Sequence, residues 1–161
     1  MKSTGKPNDP LSRFSLGIFH INGLLMHSGD AITQSIGQSS ARWQVLGRVG
    51  YAPHTVAQMA RDMGHARQSV QRVANALASE GLVMYKDNPN DKRTQLVELT
   101  KRGGEVLAAI YAKQEEWSQH IMTKLDSGQL VEIAEALECI GQILTTDESN
   151  TRNVRGATDE D

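Results

Sequence analysis

Residues 66–80 read ARQSVQRVANALASE, and the reading of this stretch decides the fold. Val70, Val73, Ala74 and Leu77 fall at i, i+3, i+4 and i+7, a spacing that stacks them on one side of a helix and seats that side on a core. The other side carries Arg67, Gln68, Gln71, Arg72 and Asn75. Arg, Gln and Asn hold the forked donors and acceptors that match guanine and adenine edges in a DNA major groove. Taken alone, such a helix reads more readily as a solvated amphipathic element. Its neighbours on both sides reverse that reading.

Upstream, Thr55-Val56-Ala57-Gln58 has the form of a capping box, which predicts a short helix running to about Met63. Gly64 follows where a left-handed helix terminus is easiest, so helix, tight turn and second helix make a helix-turn-helix. Downstream, Gly81 is followed by Leu82 to Tyr85, a turn at Asn88-Pro89-Asn90-Asp91, and Thr94 to Leu99. That pattern predicts a hairpin. Its tip, Asn90-Asp91-Lys92-Arg93, puts two cations on an exposed turn, suited to a phosphate or to the narrow minor groove.

These residues resemble the MarR (multiple antibiotic resistance regulator) group of winged helix-turn-helix transcription factors. The matching segments are residues 40–46, 55–60, 67–70, 77–83 and 87–93, followed by Leu99-Thr100-Lys101-Arg102-Gly103, in the family's order and spacing. Three positions depart from the pattern. Ala66 stands where the family often has a hydroxyl N-cap, His65 where an aliphatic is usual, and Lys92 in place of a wing arginine. The first two weaken the start of the helix, and the third keeps the charge but loses a planar fork.

Charge is segregated along the chain. Residues 40–102 hold ten Lys or Arg against five Asp or Glu, whereas residues 103–161 hold four against twelve, within a net charge of −2. The basic middle is therefore the expected DNA-facing section, and the acidic end should point away from phosphate. The polar start MKSTGKPNDP is not a secretory signal, and no apolar run approaches the roughly 18 to 20 residues of a membrane helix. The expectation is a cytoplasmic protein without a membrane partner. A lone Cys139 excludes an intrachain disulfide. With Glu135 and Glu138 nearby and no cation within a helical turn, it reads as structural rather than redox-active.

From Leu11 to about Met26 the sequence predicts a helix with Leu11, Phe14, Ile18, Ile21 and Leu25 on one stripe, widened by Leu16, Phe19, Leu24 and Met26. That much apolar surface needs cover on several sides, from a second subunit or from a small-molecule pocket. Ser39 or Ser40 caps the next helix, which Gly50 to Pro53 end. Thr100 caps a long helix with Val106, Leu107, Ile110, Tyr111, Gln114, Trp117, Ile121 and Leu125 inward. After Asp126-Ser127-Gly128, a last helix from Gln129 to about Leu144 carries Leu130, Ile133, Ala134, Leu137, Ile140 and Leu144 on one stripe. The expected organisation is a disordered start over residues 1–10 and a single domain over 11–146. Within that domain, the winged core spans about 40–100 and dimerisation helices span about 11–36 and 101–146. A disordered acidic tail is expected over 147–161.

No catalytic motif is present: there is no HExxH, no phosphate-binding glycine loop and no nucleophile elbow, so no catalytic residue and no cofactor is expected. His20, His27 and His120 lie on segments where some relatives hold metal, but without ligand spacing, so no metal site is expected. The fold class is mainly α, a winged helix-turn-helix with a short β-hairpin wing and flanking dimerisation helices. The expected function is a sequence-specific regulator of the MarR type, a repressor bound as a homodimer to a pseudo-palindromic operator. Arg67, Gln68, Gln71, Arg72 and Asn75 would face the major groove, with Ser69 or a helix amide on phosphate. Lys92 and Arg93 would reach the neighbouring groove or the backbone, and Asp91 would orient an arginine or cap the turn. The resemblance adds a phenolic or lipophilic small-molecule effector, placed in many relatives between the dimerisation and DNA-binding lobes. The alternatives are a protein-interaction module or a metal-responsive regulator on the same fold.

Overall fold

A computed structural model describes residues 9–156. In chain order it has α1 (Pro10–Gln34), α2 (Ser40–Tyr51), β1 (His54–Thr55), α3 (Val56–Asp62), α4 (Arg67–Ser79), β2 (Val83–Asp87), β3 (Gln95–Leu99), α5 (Lys101–Met122) and α6 (Ser127–Gly156). The chain groups into two compact units, Met1–Glu116 and Trp117–Asp161.

The first unit holds the winged core. The capping box at Thr55 forms as its residues dictate: the Gln58 amide donates to Thr55 Oγ1 at 3.2 Å and the Thr55 amide donates to Gln58 Oε1 at 2.8 Å. Gly64 takes φ +63°, which lets the His65 amide fold back onto the Ala60 carbonyl at 2.9 Å and turns the chain from α3 into α4. On α4, Val70, Ala74 and Leu77 are buried and Val73 packs against them half-buried. They meet Val45, Leu46 and Val49 of α2, Val56, Met59 and Ala60 of α3, Val97 of β3, and Leu107 and Ile110 of α5 in one core.

The sheet is antiparallel in the order β1-β3-β2. The hairpin of β2 and β3 matches the sequence expectation, with Val83 opposite Leu99 and Asp87 opposite Gln95. The strand β1 was not expected. Its two residues, paired with Leu96 and Val97, are too few to show an alternation.

Helix α1 begins at an Asp9 cap and runs past the expected end near Met26 to Gln34. The part after Met26 has no apolar stripe to read, and polar contacts tie it to the start of α2. Ser40 Oγ donates to the Met26 carbonyl at 2.6 Å and the Ser40 amide donates to Asp30 Oδ1 at 2.7 Å, while buried Thr33 donates within α1 to the Gly29 carbonyl at 2.8 Å. The stretch before Met26 leaves Leu11, Leu16, Phe19, Ile21, Leu24 and Leu25 exposed, Phe19 by 70%. On α5, Leu107 and Ile110 are buried as expected, but Tyr111 is exposed.

In the second unit, Val131, Ile133, Leu137, Ile143 and Leu144 of α6 are exposed, as are Leu125 and Cys139. Helix α6 continues to Gly156, past residue 147 where the tail is expected to begin. No Pro or Gly interrupts residues 142–155, so a helix already nucleated by the apolar turns before it can propagate through the polar segment. Residues 1–8 and 157–161, where disorder was expected, lie outside the described residues.

Candidate nucleic-acid interface

The side of α4 away from the core exposes Arg67, Gln68, Ser69, Arg72 and Asn75, while Gln71 is half-buried. Among the described residues, the side chains of Arg67, Gln68, Ser69 and Arg72 make no hydrogen bond or ion pair. Ala66 sits at the N-cap in extended backbone with no side-chain cap, so the helix start is bare. An uncapped start leaves amide groups and the positive end of the helix dipole available to an anion. The Ser69 amide is not one of these, because it donates to the Ala66 carbonyl at 3.0 Å, which leaves its hydroxyl as the polar group on offer.

Gln71 and Asn75 are differently placed from the free forks that the sequence suggested. Gln71 Nε2 donates to Asn75 Oδ1 at 3.0 Å and to the Tyr85 hydroxyl at 2.8 Å, and that hydroxyl donates to Asn75 Oδ1 at 2.7 Å. Half of each amide is therefore engaged within the fold. Tyr85 was missed in the sequence, yet strand parity was a usable signal: residues 83 and 85 share a face of β2, and Val83 is buried against the core that α4 covers. Burial pushes the Tyr85 phenol above its ordinary value, an effect partly offset by the bond from Gln71.

The wing tip is built by its own side chains. The Asn90 amide donates to Asn88 Oδ1 at 3.0 Å, and Asn88 Nδ2 donates to Thr94 Oγ1 at 2.9 Å, which closes the loop between β2 and β3. Asp91 Oδ1 accepts from both the amide and Nε of Arg93 at 3.0 and 3.1 Å. The Arg93 side chain is 91% exposed, and Lys92 beside it has no partner among the described residues.

Other cations of the basic middle are spent inside the fold. Arg42 of α2 grips the Glu80 carboxylate at the end of α4 with both terminal nitrogens, while its Nε donates to Gln38 at 2.8 Å. Arg102 donates to the Glu80 carbonyl at 3.1 Å, Arg48 to the Asp62 carbonyl at 3.3 Å, and Lys86 pairs with Glu98 across the wing. Hydrogen bonds from Arg42 hold the Glu80 carboxyl below its ordinary value against an opposing desolvation. The clamp therefore stabilises the fold above the unfolded carboxyl's value and is lost as pH falls through the lowered one. Among the described residues, the cations of residues 40–102 left without a partner are Arg67 and Arg72 on the outer side of α4, Lys92 at the wing tip, Arg61 of α3 and Lys101 of α5.

His20 and His27 are exposed on α1, and His120 Nε2 lies 3.0 Å from Lys124 Nζ, a competitor for the lone pair that a metal would need. Among the described residues no group of three His, Cys, Asp or Glu could hold a metal ion, and no helix is long and apolar enough to cross a membrane.

A sequence model described as MarR family matches residues 36–94, from just before α2 to the wing turn. An uncharacterised protein of Mycobacterium tuberculosis (strain H37Rv) is 41% identical over 103 residues, which span 64% of this chain and 72% of that protein. The chain belongs to the MarR family. An uncharacterised protein of Mycobacterium bovis matches this MarR-family chain at the same identity and coverage. Three solved structures share the fold. A MarR transcriptional regulator from Methanosarcina mazei Go1 superposes with TM-score 0.71 at 18% identity, over 83% of this chain and 96% of that one. The Staphylococcus aureus MepR–DNA complex gives 0.70 at 16% identity, over 81% and 97%. Staphylococcus aureus MarR in complex with salicylate and kanamycin gives 0.69 at 18%, over 83% and 91%. At these identities the likeness carries the fold, a mainly helical winged helix-turn-helix. MarR family proteins are transcription regulators, not enzymes.

Proposed function

We propose that this protein is a sequence-specific DNA-binding transcription regulator, a repressor that works as a homodimer on a pseudo-palindromic operator. The observation that carries the reading is the outer side of α4, where Arg67, Gln68 and Arg72 are exposed and unpaired among the described residues. That a fold relative, Staphylococcus aureus MepR, forms a DNA complex supports the same reading. Arg67, Gln68 and Arg72 address base edges in the major groove, and Gln71 and Asn75 do so with the atoms that Tyr85 leaves open. The Ser69 hydroxyl and the bare start of α4 take phosphate, while Lys92 and an Arg93 held by Asp91 reach the adjacent minor groove or backbone.

Binding to duplex DNA should fall steeply with salt and show a sequence preference, with two protected half-sites roughly 10 bp apart centre to centre or a multiple of that. Retained fragments from a random duplex library, sequenced and then footprinted, test both points. Equal binding to all sequences would remove the base-reading role of α4, and binding only to an acidic protein would leave it as a protein-interaction surface.

The exposed apolar side chains of α1 and of α6 support the homodimer, because a monomer in water rarely leaves so many large ones uncovered. Light scattering is expected to give about twice the 17.6 kDa chain mass. A stable monomer at working concentration would remove both the dimer and the palindrome. Release from DNA would come from a small phenolic or lipophilic effector that binds one spacing of the two α4 helices better than the other. The salicylate bound by Staphylococcus aureus MarR supports that class of ligand.

A further inference from the structure

Gln71, Asn75 and Tyr85 close a ring of hydrogen bonds whose arrows constrain one another. Gln71 and Asn75 stand one turn apart on α4, and Tyr85 reaches them from β2 with its ring half-buried. Each amide has two N–H donors and an oxygen with two lone pairs, whereas the hydroxyl has a single proton to give. Both donors of Gln71 Nε2 are used in the ring, and Asn75 Oδ1 accepts twice. What remains to face outward is the Gln71 oxygen and the Asn75 nitrogen. Turning both amides over reverses every arrow and leaves an equally closed ring, now with the Gln71 nitrogen and the Asn75 oxygen outward. Turning only one sets two like atoms against each other and breaks the ring.

We propose that Tyr85 is a positioning residue for base readout, reinforcing the direct bond between Gln71 and Asn75 so that together they present one acceptor and one donor group, never two alike. This rests on the reading of α4 as the helix that enters the major groove. An uncoupled Gln or Asn reads adenine with both ends of its amide, its oxygen on N6 and its nitrogen on N7. Neither side chain can do that here, because one end of each is committed to the ring. The pair instead asks for one hydrogen-bond donor edge, adenine N6 or cytosine N4, and one acceptor edge, such as guanine O6 or N7 or thymine O4. Because the two amides turn over only together, base choice at the position facing Gln71 is tied to base choice at the position facing Asn75.

The test is Tyr85→Phe, which keeps the ring and removes the hydroxyl. Wild type and variant are each put through selection on a duplex library randomised at the half-site, with affinities then measured on single duplexes. In wild type, the base pairs selected at two positions are expected to co-vary, donor edge with acceptor edge. In Tyr85→Phe the direct Gln71–Asn75 bond remains, so the co-variation is expected to weaken rather than vanish, while discrimination at those positions falls about three- to tenfold, the scale of one hydrogen bond. Non-operator affinity, its salt dependence and the thermal midpoint should hold. A variant in which co-variation and discrimination are both unchanged overturns the positioning role of Tyr85. So does an equal loss on operator and non-operator DNA, which would make the hydroxyl a structural group only. A wild type with no salt-dependent duplex binding is a distinct result, overturning the DNA reading itself and this proposal with it.

Discussion

Replacing Gly103 with alanine is expected to destabilise the protein by about 3 kcal/mol or more, whereas the same change at Gly104 should be neutral or stabilising by up to about 1 kcal/mol. The two glycines are adjacent in the first turn of α5, and helix propensity alone treats them alike. Their surroundings do not. A Cβ on Gly103 would lie 1.9 Å from the Leu82 carbonyl oxygen and 2.9 Å from its carbon, whereas one on Gly104 would meet nothing within 4 Å. The obstacle is backbone, so it cannot swing aside as the end of a side chain would. That carbonyl also accepts from the Thr100 amide at 3.1 Å, and Thr100 Oγ1 in turn accepts from the Gly103 amide at 3.0 Å. Moving α5 away to admit a methyl group therefore breaks the cap that starts the helix and the bond that ties it to the wing, and it disturbs Leu107 and Ile110 in the core behind. Urea unfolding of both variants at one protein concentration, followed by circular dichroism, gives the comparison. Equal midpoints for the two would show that the start of α5 yields freely and would refute the close-packing argument.

Gly103 also marks the boundary of what the sequence could convey. The capping box at Thr55, the turn at Gly64, the stripe of Val70, Ala74 and Leu77 and the hairpin were legible because each is a pattern of neighbours, set by backbone geometry within a few residues. The contacts that were not legible join residues far apart in the chain. The Arg42–Glu80 clamp spans 38 positions, and the approach of Gly103 to Leu82 depends on where the wing leads α5. At the candidate site, the residue types facing outward on α4 were readable from period alone. Which of them were already spoken for was not, since the partner of Gln71 and Asn75 comes from β2. The charge surplus of residues 40–102 could be counted from the sequence, but only the structure separates Arg42, Arg48, Lys86 and Arg102, which bond within the fold, and Arg93, held by Asp91 of its own turn, from Arg61, Arg67, Arg72, Lys92 and Lys101, which have no partner among the described residues.

That separation gives the second large effect. Arg67→Ala is expected to weaken operator binding by about 1 to 3 kcal/mol and to relax base preference at one position per half-site. Arg67 is the first residue of α4, exposed and unpaired among the described residues, so its truncation removes no intramolecular contact and the fold should be unaffected. Any loss is then a loss of DNA contact, which is not true of Gln71→Ala, where the ring with Tyr85 breaks as well. Arg93→Ala provides the contrast. Its guanidinium is held by Asp91 on an exposed turn, a placement that suits phosphate. In that case affinity falls alike on all sequences and the slope of log K against log salt drops by about 1 for each phosphate lost. Equilibrium binding of the two variants to operator and non-operator duplexes over a salt series distinguishes them. If Arg67→Ala behaves as a uniform loss with a reduced salt slope, the start of α4 lies on the backbone and the major-groove assignment of that residue is wrong. If Arg93→Ala instead loses base preference, the wing inserts into a narrow minor groove, where an arginine reads width and potential.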